Sequence, residues 1–313
     1  MKVLVAGGAG FIGFHTVRAL RAAGCLPVVV DNLSRSAYLP PQPFYRVDLL
    51  SFELKGLLQR ERPKAVIHLA AQPDVGLSVA DPLLDARENI LASLNLLQGC
   101  VAAGAAKVIF ASSAAVYGEP KRLPIDEEHP CRPTSPYGAA KLSVEHYLRV
   151  FRTLHGLEYT ILRYANVYGP RQGLGGEGGV VAAFCRRLGK GLGVKIYGDG
   201  EQTRDFIYVE DVARANVLAL TKGDGETLNI SSGEEVTINR LSRLLQARFP
   251  GSPAPSFHAP RPGDLRRSVL DPSRARRVLG WSPQVSLQEG LFETARFYQD
   301  FQWRPQGGGG RSN

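Results

Sequence analysis

Two side chains able to exchange a proton stand one helical turn apart near the middle of the chain. Tyr137 and Lys141 belong to segment 135–141, in which Ser135 is a helix-capping residue type and Pro136 favours the first helical position. The four-residue spacing predicts that the Lys141 ammonium lies within about 5–6 Å of Tyr137 on one helix face. A cation at that distance, joined by a second positive charge such as an oxidised nicotinamide ring, lowers the pKa of a phenol toward that of a useful base. The alternative is an unremarkable pair on a solvated helix face.

A glycine-rich turn at the start of the chain indicates a phosphate-binding site. Residues 2–6 form an apolar run typical of a buried strand, glycines follow at 7, 8, 10 and 13, and a helical pattern continues to Leu20. The glycines permit a tight turn and close backbone approach, while the helix N-terminus offers free N–H groups to a pyrophosphate. The candidate cofactor residues of this turn are Gly7, Gly10, Phe11, Ile12 and Gly13.

An acidic residue after the second predicted strand favours NAD over NADP. Strand 27–30 ends in Asp31, about 20 residues past the glycine turn, where a carboxylate accepts hydrogen bonds from the adenosine ribose hydroxyls and repels a 2′-phosphate. Arg35 nearby leaves NADP open as the alternative. A third predicted strand, 45–49, leads Asp48 and Leu49 toward the adenine.

Two more apolar strands, 66–71 and 107–111, alternate with a predicted helix over 82–100. His68 lies inside the first of them and is expected to be a core side chain. The second delivers Ser112 and Ser113 to its carboxyl end, where α/β sheets bind ligands; local backbone hydrogen bonding is the alternative for both hydroxyls. This alternation predicts an α/β fold: a Rossmann-type doubly wound parallel sheet with a smaller mixed α/β substrate-binding lobe. In that lobe we expect helices at 180–188, 209–220, 238–248, 273–279 and 287–299.

Composition narrows the function classes. With 44% apolar residues in a chain of 313, the protein is not intrinsically disordered, and no run approaches the length of a membrane span. The formal net charge of +9 comes from scattered basic residues, so nucleic-acid binding is disfavoured and a guanidinium-rich pocket for a phosphorylated small molecule is preferred. The four cysteines lie far apart, which indicates no disulfide framework, no metal site and a reducing cytoplasm.

Ordered motifs along roughly residues 1–300 resemble the extended short-chain dehydrogenase/reductase family, in its nucleotide-sugar epimerase and dehydratase branch. They are the glycine turn and segments 31–34, 68–71, 112–118, 137–141, 162–172, 197–200, 204–213 and 261–264. Several motifs in one order are far more specific than any of them alone.

The resemblance implies roles for individual residues. Tyr137 would be the catalytic base, Lys141 would bind the nicotinamide ribose and lower the Tyr137 pKa, and Ser113 would hold the reacting sugar hydroxyl. NAD would also contact Asp31, Asn32, Ser34, Asp48, Leu49, Leu69, Ala70, Ala71 and Asn89. The nucleotide diphosphate would be held by Asn166, Arg204, Arg261 and Asp264, although Arg204 with Asp205 and Arg261 with Asp264 could instead be surface ion pairs. Ser268 would border the sugar, and its small side chain leaves room for an acetamido group.

The same resemblance implies an NAD-dependent epimerase acting at C4 of a UDP-hexose, with UDP-glucose and UDP-galactose as the expected substrates. Related dehydratases carry acidic residues directly after the catalytic hydroxyl, whereas this chain has Ala114 and Ala115 there. Another nucleotide-sugar dehydratase or reductase, and a non-catalytic NAD-binding sensor, remain the alternatives. We expect an NAD-binding domain at 1–165, a nucleotide-sugar lobe at 166–305, a disordered tail at 306–313, and a homodimer formed through helices near 82–100 and 136–155.

Overall fold

The computed structural model describes residues 1–36, 39–40, 42–174, 178–261 and 263–300. Thirteen strands occur in this described part: β1 (Lys2–Ala6), β2 (Leu26–Asp31), β3 (Phe44–Arg46), β4 (Ala65–His68), β5 (Lys107–Ser113), β6 (Glu158–Tyr164), β7 (Asn166–Tyr168), β8 (Lys195–Tyr197), β9 (Thr203–Arg204), β10 (Phe206–Tyr208), β11 (Glu226–Ile230), β12 (Val236–Thr237) and β13 (Ser256–His258). Seven of them form one sheet in the order β11-β6-β5-β4-β1-β2-β3, with every neighbouring pair parallel. The predicted Rossmann-type sheet is confirmed.

Helices cover both faces of this sheet. Within the same described residues they are α1 (Phe11–Ala22), α2 (Glu53–Glu61), α3 (Val75–Ala80), α4 (Pro82–Ala86), α5 (Ala92–Ala103), α6 (Pro136–His155), α7 (Val180–Leu188), α8 (Val209–Leu218), α9 (Ile238–Gln246), α10 (Ser273–Leu279) and α11 (Leu287–Asp300). Successive strand residues point to opposite faces, so Val3 and Val5 pack with α1, α8 and α10, whereas Leu4 packs with α2, α5 and α6. Near-continuous apolar strands are what a sheet buried on both faces requires.

Residues at both ends of helix α6, which carries Tyr137 and Lys141, determine where this helix begins and ends. The Ser135 side chain accepts a hydrogen bond from the Gly138 N–H at 3.1 Å, and Pro136 occupies the first turn. Gly156 ends the helix in a left-handed conformation, with φ of 67°.

The helix predicted over 82–100 is interrupted. Between α4 and α5 lies a π-helical turn, Arg87–Leu91, with Asn89 buried at its centre. Such turns accommodate an extra residue in a continuing helix and are frequent at functional sites. The physical reason here is the inward amide of Asn89, which bonds to the backbone of Gln72 on the chain segment after β4.

The C-terminal half supplies a smaller lobe and also one strand of the main sheet. This lobe contains the short strand pairs β7–β10, β8–β13 and β9–β12. Residues of β7, β8, β10 and β12 share a core with α7, α9 and α11, which confirms the predicted mixed lobe. Strand β11 instead extends the seven-stranded sheet beside β6. A buried hydrogen-bond chain also joins the halves, since Tyr164 donates to Asn216, which donates to Thr16 on α1. The tail predicted at 306–313, and residues 301–305 of the predicted lobe, lie outside the described residues.

No helix within the described ranges combines the length and the apolar composition that a membrane crossing requires.

Candidate active site

The carboxyl ends of β1, β2, β4 and β5 meet at one edge of the sheet, where open α/β sheets bind ligands. The parallel register aligns Ala6 with Val30 and with His68, and His68 with Phe110. The glycine turn, Asp31, the segment after His68 and the serines that end β5 are therefore grouped at this edge.

The glycine turn forms a cradle that only a small residue can occupy. Gly7 has φ of +80°, and a Cβ placed on it would lie 2.5 Å from the Ala70 backbone nitrogen. A Cβ on Gly13 would lie 2.2 Å from the Gly7 carbonyl oxygen. Helix α1 starts directly after Gly10, which provides no side-chain cap for its first N–H groups. An uncapped helix start behind a tight glycine turn suits a pyrophosphate, so this part of the site fits NAD.

Asp31 is fixed in position by backbone donors. Its two carboxylate oxygens accept hydrogen bonds from the N–H groups of Ala9, at 3.0 Å, and Leu33, at 2.8 Å. Burial raises the pKa of Asp31, whereas these two bonds lower it. Each oxygen keeps a further lone pair, which is the acceptor that ribose hydroxyls need. The arrangement therefore fits the adenosine side of NAD as well.

Other residues predicted to bind the cofactor lie beside Asp31 or close to the carboxyl ends of the strands. Asn32 donates to Asp48 at 2.9 Å and accepts from the Ser34 N–H at 3.0 Å. Leu49 is buried in the core beside α2 and α5. The N–H groups of Leu69 and Ala70 both donate to the Ala6 carbonyl, which brings segment 69–71 against the glycine turn.

Arg35, the residue that left NADP open, bonds within the protein. Its guanidinium donates to the Gln72 side-chain oxygen, with the two atoms 3.3 Å apart.

Ser113, Tyr137 and Lys141 lie close together in space. The Lys141 nitrogen is 5.8 Å from the centre of the Tyr137 ring, as the four-residue spacing predicts, and donates to the Ala111 carbonyl at 2.9 Å. The Ser113 hydroxyl lies near enough to Tyr137 to lower the pKa of the phenol, and its oxygen accepts from the Ala115 N–H at 3.2 Å. The solvated-face alternative for Lys141 is excluded, because this side chain is buried.

The protein alone does not make Tyr137 a base at neutral pH. Burial raises the pKa of Tyr137 to about 12; the Ser113 hydrogen bond lowers it and the Asp85 charge raises it. Burial also lowers the pKa of Lys141 to about 8, against the charges of Asp85 and Glu145, which raise it. Further positive charge is therefore needed to ionise the phenol, and an oxidised nicotinamide ring would supply it.

Behind these groups lies a polar cluster that sequence reasoning only partly identified. The Asn89 amide accepts from the Gln72 N–H and donates to the Gln72 carbonyl and to Asp85. The buried Asp85 carboxylate also accepts from the Gln72 side chain, at 3.2 Å. The predicted contact of Asn89 with NAD stays a prediction. The signal for Asp85 is its four-residue spacing from Asn89 on one face of the predicted helix.

Two further polar residues next to the site have structural partners. His68 is buried and confirmed as a core side chain; its Nε2 lies 2.8 Å from the Ser93 hydroxyl. Ser112 donates to the Glu145 carboxylate at 2.6 Å, a partner that neither the ligand-binding nor the local-backbone interpretation predicts.

The predicted substrate residues form a second group, in the smaller lobe. Arg204 pairs with Asp264 and donates to the Leu265 carbonyl at 2.7 Å. The alternative of an Arg204–Asp205 surface pair is therefore wrong, because the buried Asp205 accepts hydrogen bonds from Ser232, Gly233 and Leu270.

The three other residues predicted to bind substrate in this lobe make contacts of different kinds. The Arg261 guanidinium lies over the Tyr197 ring, 4.1 Å from its centre. The Asn166 N–H donates to the Asp205 carbonyl while its side chain is exposed, and Ser268 is buried.

Comparisons with known proteins agree with this geometry. The model of the NAD dependent epimerase/dehydratase family matches residues 3–231. The UDP-glucose 4-epimerase of Mycolicibacterium smegmatis is 42% identical over 310 residues, which cover 96% of this chain and 99% of that protein.

Two solved structures are similar over almost the whole chain. The structure of the Thermotoga maritima UDP-glucose 4-epimerase with UDP-glucose is 46% identical in sequence to this chain and has a TM-score of 0.93. The match covers 96% of this chain and 99% of that one. The second is the structure of the Methanobrevibacter ruminantium UDP-N-acetylglucosamine 4-epimerase in complex with UDP-N-acetylmuramic acid. It is 37% identical, has a TM-score of 0.89, and the match covers 95% of this chain and 97% of that one. By the extent of the family match and by these near full-length relatives, the chain belongs to the NAD dependent epimerase/dehydratase family.

Proposed function

We propose that this protein is an epimerase that interconverts UDP-glucose and UDP-galactose by inverting C4 of the sugar. The observation that carries the proposal is the Ser113–Tyr137–Lys141 group at the sheet edge that also holds the glycine turn. Support comes from the Mycolicibacterium and Thermotoga relatives, both UDP-glucose 4-epimerases. The cofactor is NAD, as in the family to which the chain belongs.

The chain's own residues divide the work of binding and proton transfer. The glycine turn would hold the pyrophosphate of NAD, and Asp31 its adenosine ribose. Bound NAD would supply reversible hydride transfer at C4 of the sugar. Ser113 would hold the 4-hydroxyl, and Tyr137 would take its proton and later return it. Because the hydride would also go back to the sugar, no net oxidation would result. If the 4-keto sugar turned over between removal and return of the hydride, the hydride would be added to its other face and C4 would be inverted.

The test is an assay of UDP-glucose and UDP-galactose in both directions, with Tyr137→Phe as the matched variant. The variant keeps the ring but has no proton to exchange, so we expect turnover to fall by about 10²- to 10⁴-fold while NAD remains bound. Absence of interconversion in the parent defeats the proposal. A parent that binds NAD but has no turnover, and whose binding is unchanged in Tyr137→Phe, would indicate the non-catalytic sensor instead.

Dehydration is disfavoured by the residues that follow Ser113. Ala114 and Ala115 form a 3₁₀ turn there, and a methyl group can neither donate nor remove the proton that 4,6-elimination requires. A 4-keto-6-deoxy product, detected by its absorbance in alkali, would contradict this assignment.

We further propose that the N-acetylated sugars are accepted, because the family resemblance implies that Ser268 would border the sugar and its side chain is small. Ser268 is only 8% exposed, so its side chain is not directed into solvent. The similar UDP-N-acetylglucosamine 4-epimerase of Methanobrevibacter supports this range of sugars. We expect Ser268→Tyr to retain glucose/galactose activity and to lose most N-acetyl activity, measured with both substrate pairs; Ser268→Ala is the control that adds no volume. Equal effects of Tyr on both pairs would show that Ser268 does not select the sugar.

We also propose a homodimer in a reducing cytoplasm. The outward stripe of α6 contains the exposed apolar residues Tyr147, Val150 and Leu154. Leu83 on the adjacent helix α4 and Leu91 at the end of the π-helical turn are exposed as well. Apolar side chains on two neighbouring helices favour an interface between copies of this chain. The four cysteines are all free thiols, which supports the reducing compartment.

A further inference from the structure

A buried ion pair lies directly behind the proposed catalytic helix. Glu145 on α6 and Arg163 on β6 are both buried, and two guanidinium nitrogens meet the two carboxylate oxygens at 2.9 and 2.6 Å. The Ser112 hydroxyl donates to the same carboxylate at 2.6 Å, and Arg149 approaches it to 3.6 Å. The proposed mechanism gives Glu145 and Arg163 no role.

Stability alone is a weak explanation for this pair. Removing two charges from water costs several kcal/mol per ion, and replacing such pairs by apolar residues is often neutral or stabilising. Both carboxylate oxygens of Glu145 nevertheless accept a hydrogen bond from Arg163. Although burial, the largest influence, lowers the pKa of Arg163, its hydrogen bonds with Glu145 raise it above the ordinary value.

Glu145 connects the two elements that carry the proton-transfer groups. It lies on α6 four residues after Lys141 and eight after Tyr137, so all three share one side of the helix. Its partner Ser112 directly precedes Ser113 at the end of β5. Movement of the β5 end relative to α6 would therefore stretch the Ser112–Glu145 bond and at the same time shift Ser113 relative to Tyr137.

Glu145 also belongs to the charges around Lys141. The groups that face the Lys141 ammonium are Asp85 from α4, His68 from β4, the Ala111 carbonyl and Phe110 ring from β5, and Tyr137 and Glu145 from its own helix. Around Glu145 itself lie Arg149 and Arg163 and the Cys131 thiol. Asp85 and Glu145 raise the pKa of Lys141, while burial, the larger effect, lowers it to about 8.

We propose that Glu145 is a positioning residue: it fixes Ser113 relative to Tyr137 through Ser112, and it keeps a negative charge, moderated by Arg163, beside the Lys141 ammonium. The catalytic meaning of this arrangement rests on the epimerase function proposed above. The arrangement itself is testable without turnover.

The direct measurement follows Lys141 by NMR. Protein labelled with ¹³C at the lysine ε-carbon and saturated with NAD is titrated with pH, and Lys141→Met identifies the resonance. Glu145→Gln keeps the side-chain shape, removes the charge and leaves Arg163 unpaired, so the Lys141 midpoint should fall by about one to two pH units. In Glu145→Gln/Arg163→Gln both charges are absent, so the midpoint should lie between those of the parent and the single variant.

The order of the midpoints decides the electrostatic half of the proposal. A Glu145→Gln midpoint equal to the parent's overturns it. Structural damage alone would leave the double variant no closer to the parent than the single one, and that result also overturns it. Should Glu145→Gln fail to fold, the double variant buries no unpaired charge, and its midpoint must still lie below the parent's.

Ser112→Ala tests the positioning half. It removes the hydrogen bond without altering any charge, so we expect the Lys141 midpoint to stay at the parent value while kcat falls by about tenfold with little change in KM. Unchanged kcat in Ser112→Ala overturns the positioning role. A parent without epimerase activity would defeat the proposed function, while the NMR order would still decide the role of the Glu145 charge.

Discussion

At the scale of single residues, two glycines of one turn carry different constraints. Gly7 combines a positive φ with a prospective Cβ contact of 2.5 Å to backbone, whereas Gly10 has φ of −74° and its nearest contact would be 3.3 Å. We therefore expect Gly7→Ala to lower the free energy of unfolding by about 2 kcal/mol or more. Gly10→Ala should fold with nearly parental stability and bind NAD more weakly, because a methyl group would stand where the pyrophosphate approaches. Urea denaturation of the NAD-free proteins and NAD titration separate the two effects; equal stability losses would contradict this distinction.

Contacts that follow from local periodicity could be predicted from the sequence, whereas contacts that depend on tertiary packing could not. The Tyr137–Lys141 proximity follows from helix periodicity and was predictable, as were the strand-end positions of Asp31 and Ser113. The Arg204–Asp264 pair and the bonds of Asn89 to Gln72 were not, because each joins segments whose relative placement depends on tertiary packing. The burial that raises the pKa of Tyr137 could not be read from the spacing either, because it also depends on tertiary packing.

At the scale of elements, α6 has two faces with separate tasks. Its inner face carries Tyr137, Lys141 and Glu145, and its outer stripe carries exposed Tyr147, Val150 and Leu154. The amphipathic pattern allowed the helix and its ends to be predicted. The π-helical turn between α4 and α5 was not predictable, because its cause is a contact made by Asn89 in the folded protein.

The outer stripe gives a prediction about assembly. Val150→Glu/Leu154→Glu places two charges on the proposed interface, so we expect a monomer where the parent is a dimer, as measured by sedimentation equilibrium. Phe52→Glu is the matched control, since Phe52 is 91% exposed on a different element and should leave the mass unchanged. A parent that is monomeric at micromolar concentration, or a charged variant that still dimerises, would contradict the proposed homodimer.

At the scale of the whole molecule, buried histidines make stability depend on pH. Burial lowers the pKa of His15 from 6.5 to about 4, with smaller lowering effects from Arg18 and Arg171, against the raising effect of the Pro170 carbonyl. Burial likewise lowers the pKa of His68 to about 3. Below pH 6.5 the unfolded chain binds protons that the folded chain does not, so acid favours unfolding. For His15 the loss grows as the pH falls from 6.5 to about 4 and is absent above that window.

We therefore expect His15 to account for about 2 kcal/mol of the stability lost between pH 7.5 and pH 5. His15→Gln should reduce the pH dependence of the free energy of unfolding by that amount, measured by urea denaturation at both pH values. The control is His146→Gln, because His146 is exposed on α6, and it should retain the parental dependence. A His15→Gln protein with the parental dependence would show that His15 is protonated as easily in the folded chain as in the unfolded one.

Strand β11 has a consequence for how such proteins can be recombined. Residues 226–230 come from the C-terminal half but pair with residues 160–164 of β6 in the main sheet. A hybrid gene joined at residue 165 would therefore take six strands of the sheet from one parent and its edge strand from the other. Joining after residue 231, where the family match also ends, would inherit all seven strands together. We expect hybrids with the later crossover to keep the seven-stranded sheet intact, because all of its strand pairs would then come from one parent. The short pairs β8–β13 and β9–β12 of the smaller lobe would be divided instead.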